Sequence, residues 1–176
     1  MSIKNAMKKY VVVFLAVIFA IAITLYLNHR RGGPFVNFTE LAQSDSVFDL
    51  QLTIYGRSLR YTHRFAIGES KLMGGTFDYK VIITGETLSM KVDELSDLDK
   101  VDLTPVEGNF NGDVVLAYAI ELKGREILRV SMYGICTNSN TVVAFVNGVP
   151  VTLDERLYNI VLPFIPTVEA EFWIQE

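Results

Sequence analysis

The chain reads as mainly β: an antiparallel β-sandwich or barrel-like domain preceded by one N-terminal transmembrane helix. Three observations predict this. The 18 residues from Tyr10 to Leu27 include no charged residue, no Gly and no Pro. Beyond them, apolar and polar residues alternate with a period of two over much of the chain. Turn signals such as Lys123-Gly124 and Asn147-Gly148 punctuate that alternation at intervals of about 8–12 residues, the spacing of all-β domains.

At about 1.5 Å per residue, a helix over Tyr10–Leu27 covers roughly 27 Å, close to the hydrocarbon thickness of a bilayer. Tyr10 and Tyr26 fall at its two interfaces, where amphipathic rings are favoured. A cleaved signal peptide fits less well. The apolar run is longer than the usual h-region, and Asn28-His29-Arg30-Arg31 is no small-residue cleavage site. Lys4, Lys8 and Lys9 precede the span and Arg30 and Arg31 follow it. With a short N-terminal tail, this places the N-terminus in the cytoplasm. The expected layout is residues 1–9 as a cytoplasmic tail, 10–27 as an uncleaved signal anchor, 28–36 as a linker and 37–176 as a domain outside the cell membrane.

Five of the 16 basic residues flank the anchor and no acidic residue does, which leaves 11 basic against 20 acidic residues from Gly32 onward. A domain of net charge −9 on that count does not seek phosphate backbones. Nucleic acid is therefore excluded as a partner. Cys136 is the only cysteine, so the domain has neither an internal disulfide nor a cysteine metal site.

Arg31-Gly32-Gly33-Pro34 forms a hinge that a helix cannot cross. Asn37, with Glu40 three residues on, reads as the cap of a short helix reaching about Gln43. Val47–Tyr55 alternates as a strand with Phe48, Leu50, Leu52 and Ile54 inward. Ser58–Ala66 alternates likewise and is expected to pair with it around Gly56-Arg57. Thr76–Thr84 and Thr87–Val92 are read as the next two strands. Asp93–Lys100 is helix-capable, with Leu95 and Leu98 on one side, and 105–113 is a loop.

Asp113–Leu122 and Arg125–Tyr133 make the most secure hairpin, closed by Lys123-Gly124. Asn147-Gly148 suits a type I′ turn between Thr141–Val146 and Val149–Thr152. Pro150, which has no N–H to give, belongs on a sheet edge. Asp154–Ile165 reads two ways: Asp154 can cap a short helix that buries Leu157, Ile160 and Val161 before Pro163, or Tyr158–Leu162 can form a buried strand, and the helix is the preferred reading. Thr167–Gln175 alternates as a last strand.

Catalytic chemistry finds little purchase. His29 flanks the anchor, and His63 lies on an apolar strand face between Tyr61 and Phe65, where a hydrogen-bonded core role is the simpler reading. No nucleophile elbow, nucleotide loop or paired-acid motif is present. No catalytic set can be assigned, and the balance falls against an enzyme. Two groups of polar residues stand out. Asp97, Asp99, Asn109, Asn111 and Asp113 are candidate calcium ligands if their loops converge, although the acid of a calcium loop's twelfth position would fall on Tyr118. Arg60 and Arg64, with Arg57 nearby, can hold a carboxylate or phosphate. Trp173 is a candidate contact residue on the last strand.

The sequence thus leads to a single-pass membrane protein whose outer domain is a binding, assembly or sensing module. It is held to the membrane by residues 10–27 and meets a protein partner at the cell surface. A second reading makes it a membrane-tethered enzyme or a calcium-dependent binder using the acidic loops 93–113.

Overall fold

In the computed structural model, which describes residues 36–58, 66–108, 110, 112–133 and 143–174, six strands form one antiparallel sheet. The strands are β1 (Leu50–Gly56), β2 (Tyr79–Thr84), β3 (Val114–Leu122), β4 (Arg125–Tyr133), β5 (Val143–Val146) and β6 (Val149–Thr152), in the spatial order β2-β1-β3-β4-β5-β6. Six short helices accompany them: α1 (Phe38–Ala42), α2 (Glu69–Met73), α3 (Gly85–Leu88), α4 (Val92–Asp97), α5 (Glu155–Asn159) and α6 (Thr167–Ile174). The described residues therefore form an α+β domain rather than the expected sandwich or barrel. The anchor segment 10–27 lies outside them. Among the described residues no helix is long and apolar enough to cross a membrane.

Both hairpin turns fold as their residues dictate. Lys123 and Gly124 adopt φ of 53° and 76°, and Asn147 and Gly148 adopt 50° and 81°. Two successive positive φ values define the type I′ turn, whose twist matches that of the strands. Asn147 does more than turn: its Oδ1 accepts the Arg129 N–H at 2.8 Å, pinning the β5–β6 hairpin to β4. Asn37 caps α1 through the Glu40 N–H at 2.9 Å, and Asp154 caps α5 through the Arg156 N–H at 2.9 Å. Leu157, Ile160 and Val161 are buried as their spacing requires.

One row of side chains shows how the sheet makes its core. Val81, Ile54, Tyr118, Val130, Val146 and Val149 stand opposite one another across all six strands. This face packs against Phe38 and Leu41 of α1, Leu95 of α4 and Leu157 of α5 in one continuous cluster. The reverse face is covered in part, by a smaller cluster of Ile67, Leu72, Val114 and Ala117 beneath α2. Val114 reaches that face because the β3–β4 register shifts between Val114 and Leu116. The extra residue, Val115, reverses the alternation at that point.

Helices on both faces take the place of the second sheet. Thr87–Val92, read as a strand, instead ends α3, forms the turn after it and begins α4 at Val92. Thr167–Gln175, also read as a strand, forms α6. Four to eight residues of helix complete barely one or two turns, too few to display a 3.6-residue period against accidental alternation. The first strand starts at Leu50, because Asp45–Asp49 is a 3-10 turn capped by Ser44. Phe48, assigned to the core, is consequently 60% exposed. The third expected strand starts at Tyr79 and not at Thr76. Most of the Ser58–Ala66 run, including its proposed pairing, lies outside the described residues.

The Tyr118 hydroxyl is fully buried in the main core without a hydrogen-bond partner. Burial pushes its pKa up. The proton is held more tightly when folded, so stability is unaffected below the ordinary tyrosine value of 10.0 and falls as pH rises above it. Replacing both sides of a missing hydrogen bond with apolar surface removes a desolvation cost. Tyr118→Phe is therefore expected to raise stability by up to about 1 kcal/mol and to reduce the alkaline loss. Urea unfolding at neutral and alkaline pH measures both effects; a lower midpoint in the variant contradicts them.

Candidate functional site

The polar chemistry of the described domain concentrates where β1 ends and β2 begins. Gly56 stands opposite Tyr79 in the register. A Cβ at Gly56 would lie 1.9 Å from the Tyr79 ring, so the missing side chain lets that ring lie across the strand. Beyond Gly56 the chain is held tightly. The Arg57 N–H bonds the Val115 carbonyl at 2.9 Å, and the Arg57 guanidinium, only 6% exposed, forms an ion pair with Asp113. The second oxygen of Asp113 accepts the Ile67 N–H at 2.7 Å. One carboxylate thus joins the end of β1, the start of β3 and the segment entering α2.

Ser58 carries the cluster to α6. Its N–H donates to Asp78 at 2.8 Å and its hydroxyl donates to Glu169 Oε1 at 2.9 Å. Glu169 is 4% exposed, and its Oε2 has no hydrogen-bond partner. Burial raises the Tyr79 hydroxyl pKa, and the charges of Glu169 and Asp78 raise it further, so Tyr79 stays protonated. A buried carboxylate with one unsatisfied oxygen is costly in a medium that solvates charge poorly. Glu169→Gln keeps an acceptor for Ser58 and removes the charge, so a gain of about 1 kcal/mol is expected. Thermal melting at neutral pH checks this; a clear loss of stability would show that the charge itself is required.

The two sheet edges differ. The β6 edge carries Pro150 and is closed by a bridge between Val151 and Pro105, with the Val106 N–H bonded to the Pro150 carbonyl at 2.9 Å. Among the described residues, β2 bonds along its length to β1 alone, in an unbroken six-residue register. Ile82 on that edge is 53% exposed. Two other large apolar side chains, Phe48 and Met90 at 60% and 74% exposure, belong to the segments flanking α3, the helix that continues β2.

The sequence-derived candidates are distributed differently. Asp97 pairs with Lys100 at 2.6 Å. Asp99 caps α1 from outside, accepting the Phe38 and Thr39 N–H groups at 2.9 and 2.8 Å and the Thr39 hydroxyl at 2.8 Å. Asp113 serves Arg57 and Ile67, so these three acids share no partner. Asn109 and Asn111 lie outside the described residues, as do Arg60, Arg64, both histidines and Cys136. Trp173 falls in α6 instead of a strand. Among the described residues no group of three or more His, Cys, Asp or Glu side chains is placed to hold a metal ion.

Sequence reasoning missed Ser58, Asp78, Tyr79 and Glu169. In the strand read over Thr167–Gln175, Glu169 would face away from Val168 and Ala170; in the helix it is buried instead. Arg57 was grouped with its basic neighbours, without a sign that Asp113 would meet it. Comparison with known protein families, characterised proteins and solved structures gives no match for this chain.

Proposed function

We propose that this chain is a single-pass membrane protein, N-terminus in the cytoplasm, whose α+β domain lies outside the membrane and binds a protein partner. The address rests on the uncharged 18-residue run Tyr10–Leu27 and its basic flanks. The binding role rests chiefly on one observation, the β2 edge that no other described strand covers, with Ile82 exposed on it. Folded proteins usually blunt such edges, because a row of unpaired N–H and C=O groups recruits another strand. Strand addition then supplies affinity through main-chain hydrogen bonds and specificity through alternate side chains. The polar cluster fixes the start of β2 by bonding Asp78 to both Gly56 and Ser58, which keeps the edge in one geometry.

A photo-reactive side chain placed at Ile82 of the full chain in intact cells tests the binding role. A cross-linked adduct from position 82 and none from the exposed position Glu107 is the expected result. Equal absence of adducts at both positions refutes the reading. Protease added to the outside of the same cells should degrade the domain; its protection would reverse the proposed orientation.

A further inference from the structure

We propose that the partner strand is β2 of a second copy of this chain, so that two six-stranded sheets join edge to edge across a two-fold axis. This rests on the reading of the β2 edge as the contact site. The sequence of the edge, Tyr79-Lys80-Val81-Ile82-Ile83-Thr84, suits pairing with itself. A two-fold axis perpendicular to the sheet makes the strands antiparallel and keeps each face continuous, so residues that meet must share a face.

Centring the pair on Ile82 meets that condition. Ile82 then stands against Ile82, Val81 against Ile83, and Lys80 against Thr84. No like charges are directly opposed, and β-branched pairs fill the middle, the arrangement that favours cross-strand association. The exposed Ile82 becomes covered by its own symmetry mate.

Of the devices that ordinarily prevent such pairing, β2 carries only one charged residue, the exposed Lys80. It has no proline, and its register with β1 shows no bulge. Its one charged side chain, Lys80, is turned over the Tyr55 ring with Nζ 5.2 Å from the ring centre. The opposite edge is blocked by Pro150 and the Pro105 bridge, so the association closes at two copies instead of growing into a filament. Gly85, which follows the strand, abuts the backbone of Val47 and Phe48. Anchoring copies in one membrane raises their effective concentration and favours a contact of this modest size.

The test uses the full chain in mild detergent with Cys136→Ser as background. Ile82→Cys is expected to give a disulfide-linked dimer under mild oxidation, because residues paired across an antiparallel contact lie within disulfide reach. Glu107→Cys should stay monomeric. Light scattering should report two chains for the Cys136→Ser protein and one chain for Ile82→Lys, with Val81→Pro as the second disrupting variant should the first alter folding. An Ile82→Cys chain that does not cross-link, together with an Ile82→Lys mass equal to that of the parent, overturns the proposal. If self-pairing fails in this way while position 82 still cross-links in cells to something other than this chain, the edge remains a docking site for a different partner. If position 82 gives no adduct either, both readings fall.

Discussion

Gly85→Ala is expected to lower the stability of the domain by about 3 kcal/mol, at the upper end of overpacking costs. A Cβ there would stand 2.3 Å from the Val47 carbonyl oxygen and 2.4 Å from that of Phe48. Both are backbone atoms, and no side-chain rotation relieves the contact. The 3-10 turn Asp45–Asp49 must move away from α3, and it carries the buried Val47 and leads directly into β1. The damage should reach Leu88 and Leu50, which belong with Val47 to the main core. Urea unfolding measures the effect. Gly68→Ala is the matched control: nothing lies within 4 Å of a Cβ at that position, and its midpoint should hardly move. Equal effects from the two substitutions would show that close approach at Gly85 is not what matters.

Arg57→Met is expected to cost a similar amount, about 3–5 kcal/mol. The substitution preserves much of the apolar bulk of the side chain but removes the cation from a buried pair. Asp113 is left with a charge and only the Ile67 N–H of its described partners. Breaking one side of such a pair is far worse than replacing both, so adding Asp113→Leu to Arg57→Met should recover part of the loss. Arg129→Met provides the contrast. Arg129 pairs with Glu126 and Glu69 but is 39% exposed, and water compensates for lost partners there. Its removal should cost no more than about 1 kcal/mol. A small effect at Arg57 would mean that the end of β1 is held by its backbone bond to Val115 instead of by the ion pair.

The two large effects bear on the proposed contact as well as on stability. Gly85 sets the C-terminal end of β2 against the turn before β1. Arg57 and Ser58 set the N-terminal end, through the bonds linking them to Val115, Asp78 and Glu169. Between these clamps lies the open edge. A strand held at both ends loses little conformational freedom when a second strand adds to it, and preorganisation of that kind strengthens association.

Local structure was legible wherever a short stretch carries its own instructions. Lys123-Gly124 and Asn147-Gly148 specify their turns by supplying positive φ, and the hairpins around them follow. Asn37 specifies a helix start because a short side chain can reach an unsatisfied N–H; Asp154 does the same, but the apolar run after it reads as well as a strand, and the structure makes it a helix. Leu95 and Leu98 mark one side of a short helical segment. Pro150 marks an edge, since it cannot donate to a further strand.

The placement of these pieces was not legible. Nothing in Leu50–Gly56 states that β1 sits between β2 and β3, buried on both faces with Thr53 as well as Leu52 inside. Alternation in Thr87–Val92 and Thr167–Gln175 could not be told from helix over so few residues. The Arg57–Asp113 pair joins residues 56 positions apart, and Ser58–Glu169 joins residues 111 apart. Such contacts leave no periodic trace in sequence.

By itself, then, the sequence determined the turns, the caps, the acidic surface and the uncharged segment 10–27, because each depends on neighbouring residues or on composition alone. Only the tertiary structure decided that helices pack on both faces of one sheet, that Glu169 points inward and that, among the described residues, β2 pairs with β1 alone. Those outcomes depend on which distant surfaces bury one another, and burial is a property of the assembled core.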